Sequence, residues 1–190
     1  MPEDELTNEE KNSLLSLARE ALEAGVRRTK LPPLDQQSIS TRLMEQGASF
    51  VTLYNNSKLR GCIGTLEAYQ PLAEDVSEHT IAATLQDIRF PNVQSDELTE
   101  IEIEVSRLSL PVPLEYNSPD DLLTIVQPGK DGVLFRDGEQ HATFLPNVWE
   151  KLPDHTDFFS NLCYKMNAKA DLWRKKHLDV STFQVERFNE

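Results

Sequence analysis

Leu59-Arg60-Gly61-Cys62-Ile63-Gly64-Thr65-Leu66 is the stretch on which the fold prediction rests. It follows an alternating segment, residues 48–55, and a turn at Asn55-Asn56-Ser57-Lys58, so the two segments predict a β-hairpin. Two glycines inside a strand are typical of a bulge or of a place where another group approaches the backbone. Without a bulge Arg60 and Cys62 would project to the same face, whereas a bulge at Gly61 would turn them apart.

Cys62 is a candidate nucleophile. An arginine on the same face favours the thiolate, which is the form that attacks electrophiles. The alternative is a buried, inert cysteine, because free cysteine is among the most buried residue types. If the thiol is functional, Arg60, Gly61 and Gly64 are candidates for binding a ligand beside it.

The rest of the chain predicts helices alternating with hairpins. Capping signals and apolar spacing predict helices over residues 7–25, from Pro71 to about Gln86, and over 155–167. Residues 101–110 and the last ten residues alternate as strands do, and a further hairpin surrounds Asp137-Gly138. Because there is no βαβ rhythm, these elements predict an α+β fold of mostly antiparallel sheets with flanking helices. With no obvious linker, residues 1–190 are predicted to form a single domain.

Composition excludes several classes of function. The chain carries 19 Lys and Arg against 32 Asp and Glu, a formal net charge of −13. Nucleic-acid binding depends on neutralising phosphates, so no nucleic-acid partner is expected for this acidic protein. No apolar run approaches the length of a membrane span, and the acidic N-terminus is unlike a signal peptide. Two cysteines without an export signal predict a reducing, cytoplasmic environment.

A second group of candidate residues lies in Gln86-Asp87-Ile88-Arg89-Phe90-Pro91. Asp87 and Arg89 suit a rigid loop in which the arginine holds a carboxylate or phosphate and the acid orients it. The alternative is that both charges pair with other residues and simply fix the loop. His141 and Thr143 should share one face of a strand, and a histidine near Cys62 would supply a base. The alternative for His141 is a surface position on a hairpin.

No metal or cofactor is predicted. The four histidines share no ligand spacing, and the metal-binding patterns C-x-x-C and H-E-x-x-H do not occur. A phosphate-binding glycine loop and a G-x-S-x-G nucleophile elbow are also missing from the sequence.

These segments together resemble the AMMECR domain family, whose prokaryotic members are named AmmeMemoRadiSam system protein A. The resemblance rests on residues 59–65, 87–91, 102–109, 129–133 and 142–149, which follow the family's order. Two positions depart from it. Ile88 stands where the family usually has proline, and Lys165-Met166-Asn167-Ala168 replaces a lysine-alanine-glycine-leucine segment, so we expect that loop to be rebuilt.

The resemblance implies an α+β fold of two unequal lobes with the R-G-C-I-G segment near the groove between them. It also implies partners, namely a Memo-type protein similar to extradiol dioxygenases and a radical S-adenosylmethionine enzyme. Two functions stay open. One is an enzyme or enzyme component that handles a small molecule at Cys62, with Asp87 and His141 as further catalytic candidates and Arg60, Arg89 and Thr143 as ligand contacts. The other is a noncatalytic binding or scaffold subunit.

Overall fold

The structure is a computed structural model that describes residues 5–35 and 39–190. Its elements in chain order are α1 (Asn8–Arg27), β1 (Gln46–Asn55), β2 (Lys58–Gly64), β3 (Gln70–Pro71), α2 (Leu72–Leu85), β4 (Ile101–Leu108), β5 (Val112–Pro113), α3 (Pro119–Ile125), β6 (Gly132–Asp137), β7 (Gln140–Phe144), α4 (His155–Lys165), α5 (Leu172–Lys175), β8 (Asp179–Phe183) and β9 (Val185–Asn189). Single turns of 3₁₀-helix occur at Thr41–Met44 and Pro146–Glu150. The chain divides into two compact units. The first runs to Leu108 and includes Glu186–Glu190, and the second is Ser109–Val185.

The first unit is built on a sheet with the strand order β2-β1-β4-β9, and the short β3 pairs with the start of β1. Strand β1 runs antiparallel to β2 and β4. Val51 and Leu53 on β1 are fully buried with Ile103 and Val105 on β4, in one core cluster with residues of α1 and α2. Side chains alternate along a strand, so the even-numbered residues of β1 lie on the other face of the sheet.

Helix α1 begins as the sequence predicts. The Thr7 hydroxyl accepts the Glu10 N–H at 3.2 Å, and the Glu10 carboxylate accepts the Thr7 N–H at 2.9 Å, which is a capping box. The prediction that Gly25 ends the helix was wrong. The helix continues by two residues, and Arg28 takes the left-handed conformation, with φ 54°. Gly25 is buried inside the helix, where it packs against Thr84 of α2.

The second unit has a sheet with the strand order β5-β8-β6-β7. Its core is rich in aromatic side chains. Trp149 stacks on Phe158 with ring centroids 3.6 Å apart, and Phe159 and Trp173 are fully buried beside them. The predicted hairpin at Asp137-Gly138 is confirmed, since β6 and β7 are antiparallel partners on either side of it.

The predicted α+β class with antiparallel sheets is confirmed by both units. The strand over 101–110 corresponds to β4, and the helices from Pro71 and over 155–167 correspond to α2 and α4. The single strand expected over the last ten residues was wrong, because the chain leaves one sheet at Phe183 and enters the other at Val185. Alternating apolar residues continue across that change of sheet, so the sequence pattern did not show it.

Candidate functional site

Strand β2 carries a bulge at Arg60. In the pairing with β1, Leu53 is opposite Gly61 and Tyr54 is opposite Leu59. Arg60 therefore lies between two paired residues as the extra residue of β2. The bulge changes the register of every residue that follows it in the strand.

This bulge decides which face of the sheet receives Cys62. If the register of the turn continued unbroken, Cys62 would pair with Val51, which is fully buried in the core. With the extra residue at Arg60, Cys62 pairs with Thr52 instead. Cys62 therefore lies on the face opposite to the helices, and it is half-buried there.

The backbone of Cys62 is bonded by two side chains. Strand β2 lies at one end of the strand order, so one of its edges has no neighbouring strand in this sheet. At that edge the Cys62 N–H donates to Oδ2 of Asp87 at 2.8 Å, and the Cys62 carbonyl accepts from Nη2 of Arg89 at 3.0 Å. The two side chains occupy the positions that a further strand would fill, which protects the edge from unwanted pairing.

Asp87 and Arg89 also bind each other in a bidentate pair. Nε of Arg89 donates to Oδ1 at 2.9 Å and Nη2 donates to Oδ2 at 2.7 Å. The hydrogen bond from Arg89, assisted by the Cys62 N–H, holds the pKa of Asp87 far below its ordinary value although burial opposes this. The Asp87 side chain is buried, whereas 53% of the Arg89 side chain is exposed. The arginine is therefore held at a fixed place and still reaches solvent.

The thiol itself has two polar neighbours. The Thr52 hydroxyl donates to Sγ of Cys62 at 3.3 Å. Both backbone groups of Cys62 point away from β1, so Thr52 and Cys62 form a non-hydrogen-bonded pair, the closer kind in an antiparallel sheet. Arg89 is the second neighbour. The hydrogen bond with Asp87 raises the pKa of Arg89, and the Cys62 side chain adds to that effect.

Tyr54 and Glu104 lie on the same face of the sheet. Thr52 is paired with Glu104 on β4 as well as with Cys62 on β2, so the three side chains cross three adjacent strands in one row. Burial raises the pKa of Tyr54, and the charges of Glu104 and Cys62 add to the increase. The face around Cys62 is therefore polar, unlike the core face.

The two glycines beside Cys62 are explained by packing inside the first unit. A Cβ on Gly61 would lie 2.4 Å from the carbonyl oxygen of Ala83 on α2, and a Cβ on Gly64 would lie 2.4 Å from the Phe50 ring. The structure therefore shows a close approach of protein atoms at both positions. Their assignment as ligand-binding residues stays a prediction.

Arg60 has a framework role in this structure. Its guanidinium forms a bidentate pair with Glu97, at 2.7 Å and 2.9 Å, and donates to the Pro91 carbonyl at 2.8 Å. That pair lowers the pKa of Glu97. The arginine that approaches the thiol is thus Arg89, because the bulge separates Arg60 from Cys62 in the alternation of the strand.

His141 and Thr143 lie on β7 in the second unit. His141 is exposed, and its Nδ1 is 3.4 Å from the carbonyl of Glu139. The carbonyl of Thr143 accepts a hydrogen bond from Lys165 at 2.8 Å. The structure therefore brings together Cys62, Asp87 and Arg89, whereas the two β7 residues belong to the other unit.

The sequence prediction missed Thr52. A register counted from the turn places Thr52 opposite Gly61, and only the bulge moves it opposite Cys62. Two glycines in a strand are a signal for a bulge, but they do not say which residue is the extra one.

The family model named AMMECR1 matches residues 15–188 of the chain. The chain belongs to the AMMECR1 family. Two archaeal relatives of this AMMECR1-family chain are similar along nearly its whole length. Protein MK0488 of Methanopyrus kandleri is 35% identical over 98% of the chain and 91% of its own length. A protein of Methanothermobacter thermautotrophicus is 34% identical over 97% of the chain and 96% of its own length.

A solved structure of similar fold also exists for an AMMECR1 comparison. The uncharacterized protein PH0010 from Pyrococcus horikoshii has a TM-score of 0.76 and 28% sequence identity, and the match covers 97% of this chain and 93% of that one. The similarity supports the α+β architecture described above. The printed names of these relatives state no activity.

Metal and membrane sites were searched in the part of the chain that the structure describes. Within residues 5–35 and 39–190, no group of three or more His, Cys, Asp or Glu side chains is placed to hold a metal ion. Over the same residues, no helix is both long and apolar enough to cross a membrane.

A cavity of about 760 Å³ lies in the first unit, away from the thiol. Its walls come from α1, from α2, and from residues 31–35 together with Ile39. Cys62 is not among the lining residues, so the cavity does not belong to the Cys62 cluster.

Proposed function

We propose that this AMMECR1-family protein is an enzyme, or a component of one, that handles a small molecule with an anionic group at Cys62. The observation that carries the proposal is the arrangement around Sγ, where a buried hydroxyl from Thr52 and a half-exposed guanidinium from Arg89 converge on a half-buried thiol. A thiol beside a cation and a hydroxyl donor is suited to nucleophilic attack or covalent attachment.

Each residue of this cluster has a proposed role. Cys62 is the nucleophile or attachment point, and Thr52 orients its sulfur. Arg89 contacts the anionic group, because its exposed guanidinium can bind a second carboxylate or phosphate. Asp87 orients Arg89 through the bidentate pair.

Other residues named by the sequence take more distant roles in the proposal. Arg60, Gly61 and Gly64 shape the strand that carries Cys62, as their contacts in the first unit indicate. His141 stays a candidate for proton transfer and Thr143 a candidate ligand contact. Both assignments rest on the sequence.

Two alkylating reagents of nearly equal size test the proposed anion contact. Iodoacetate is anionic and iodoacetamide is neutral, so the ratio of their rates at Cys62 reports the local charge that a ligand meets. We expect the ratio to be roughly fivefold higher in the folded protein than in the unfolded chain, as one charge contact of about 1 kcal/mol would produce. This gain must overcome a net charge of −13, which repels anions as a whole.

Substitution separates the Arg89 contribution from the general field. Arg89→Gln should bring the ratio down to the value in the unfolded chain, whereas Arg27→Gln, at an exposed position on α1, should leave it unchanged. A folded-state ratio equal to or below the unfolded one, or a ratio insensitive to Arg89→Gln, would contradict the proposal.

A second candidate function is a scaffold subunit that acts with Memo-type and radical S-adenosylmethionine proteins. It is favoured by Ile88, which is 100% exposed between Asp87 and Arg89 on a loop fixed by their hydrogen bonds. A large apolar side chain presented on a rigid loop is suited to insertion into a partner. Ile88→Asp should then abolish capture of those proteins in a pull-down at micromolar concentration. If the unsubstituted chain captures neither of them, this second candidate fails.

A further inference from the structure

We propose that Cys62 reduces hydroperoxides and is converted to a sulfenic acid. The inference rests on the proposed function in one respect, since it requires Cys62 to be an accessible nucleophile. It goes further because it names a substrate class, R–O–OH or hydrogen peroxide, that the arrangement around the sulfur fits.

The geometry of two donors carries the inference. A peroxide must approach the sulfur with one oxygen while negative charge develops on the other oxygen. The Thr52 hydroxyl lies 3.3 Å from Sγ, and the Arg89 guanidinium, fixed by Asp87, lies beside the same side chain. Preorganised donors at the place where charge develops are an effective means of lowering a barrier.

The surroundings favour a small substrate over a large one. Cys62 is half-buried on the face of a sheet, and Thr52 beside it is 7% exposed. Hydrogen peroxide is little larger than water and needs no deep pocket. Oxidation of cysteine follows both thiolate character and exposure, and Cys62 has a cationic neighbour and partial access to solvent.

The step balances as follows. The Cys62 thiolate attacks one oxygen of R–O–OH, so that an S–O bond forms and the O–O bond breaks. Sulfur is oxidised by two electrons, and the leaving alkoxide or hydroxide, held by Arg89, takes a proton from water to become R–OH or water. Cys163 is fully buried, so a small external thiol is the reductant. It forms a mixed disulfide and water, and a second thiol then releases the Cys62 thiol.

The test uses hydrogen peroxide with the full chain and traps the sulfenic acid with dimedone before mass spectrometry. We expect Cys62 to be labelled in the folded protein and Cys163 to stay unlabelled. We expect Thr52→Val, which keeps the shape of the side chain and removes its hydroxyl, to slow oxidation roughly tenfold or more. Thr52→Ser retains the hydroxyl and should restore most of the rate. Thr182→Val, the same substitution on β8, is the control and should have no effect.

The outcomes separate this inference from the proposed function. If iodoacetamide modifies Cys62 but peroxide oxidises it no faster than the same cysteine in the unfolded chain, the inference fails and the proposed function stands. An equal rate in Thr52→Val and the unsubstituted protein would also overturn the inference. If neither reagent modifies Cys62 in the folded protein, both fail.

Discussion

The backbone N–H of Cys62 donates a 2.8 Å hydrogen bond to Oδ2 of Asp87, on a loop that follows the next helix. The same carboxylate holds Arg89, which in turn donates to the Cys62 carbonyl. One buried acid therefore fixes both the strand edge and the arginine beside the thiol. This connection explains why an acid and an arginine two residues apart occur in the loop.

Removing the Asp87 carboxylate should destabilise the protein strongly. Asp87→Ala leaves the Cys62 N–H without its partner and the Arg89 pair broken, so we expect the free energy of unfolding to fall by roughly 3 kcal/mol. Asp96→Ala, at an exposed position nearby, should change it by less than about 0.5 kcal/mol. Urea denaturation of the three proteins measures both values, and a loss as small as that of Asp96→Ala would contradict the role of Asp87.

The contribution of Asp87 should depend on pH. The pKa of Asp87 is lowered in the folded state, so its stabilising effect is complete above the unfolded-state value of about 3.9 and is lost as pH falls through the folded-state value. The stability difference between the unsubstituted protein and Asp87→Asn should therefore be constant between about pH 5 and 7 and shrink below about pH 4. Denaturation series at several pH values measure it. A difference that stays constant down to pH 2 would show that the carboxylate charge is not involved.

Gly61 should not tolerate a side chain. A Cβ there would lie 2.4 Å from the Ala83 carbonyl oxygen, so Gly61→Ala must push strand and helix apart at a cost of roughly 2 kcal/mol or more. Gly25→Ala is the matched control, because its Cβ would meet Thr84 at an ordinary 3.5 Å inside α1. It should stabilise the protein by up to about 1 kcal/mol. Thermal unfolding of both variants decides, and the same sign for the two changes would contradict the packing described.

Cys62→Ser should leave the stability almost unchanged, within about 1 kcal/mol. The position is half-buried, and a serine hydroxyl can accept the hydrogen bond from Thr52. Cys163→Ser provides the contrast, because it places a hydroxyl in a fully buried aromatic core and should cost roughly 2 kcal/mol. If the two substitutions are equally costly in denaturant titrations, Cys62 is a packing residue.

The sequence predicted the fold well where local signals decide it. The capping box at Thr7 and the turns at Asn56 and Gly138 have fixed chemistry, and the structure has a helix or hairpin at each. Gly25 was misjudged because glycine near the end of an apolar repeat usually ends a helix, whereas here close packing of α1 on α2 requires it.

The candidate site was predicted only in part, because its geometry depends on one inserted residue. The sequence indicated Cys62, Asp87 and Arg89, and these do come together. It assigned the neighbouring cation to Arg60, since strict alternation places residues 60 and 62 on one face. The position of a bulge is set by packing against α2, which no local pattern records.

The loop after α4 shows the opposite case. Asn167 stands where the resembling family has glycine, and it takes the left-handed conformation with φ 60°. Asparagine tolerates this conformation better than most residues, so the helix ends there as a glycine would end it. The prediction of a rebuilt loop therefore did not allow for the shared backbone preference of the two residues.

The most direct measurement is the rate at which iodoacetamide modifies Cys62 at pH 7 in the folded protein and in urea, followed by mass spectrometry with Cys163 as the internal reference. A functional thiol on the open face of the sheet should react in the folded protein at least as fast as in the unfolded chain, while Cys163 reacts only after unfolding. If Cys62, like Cys163, is modified only after the protein unfolds, the thiol is structural and the proposed function is wrong.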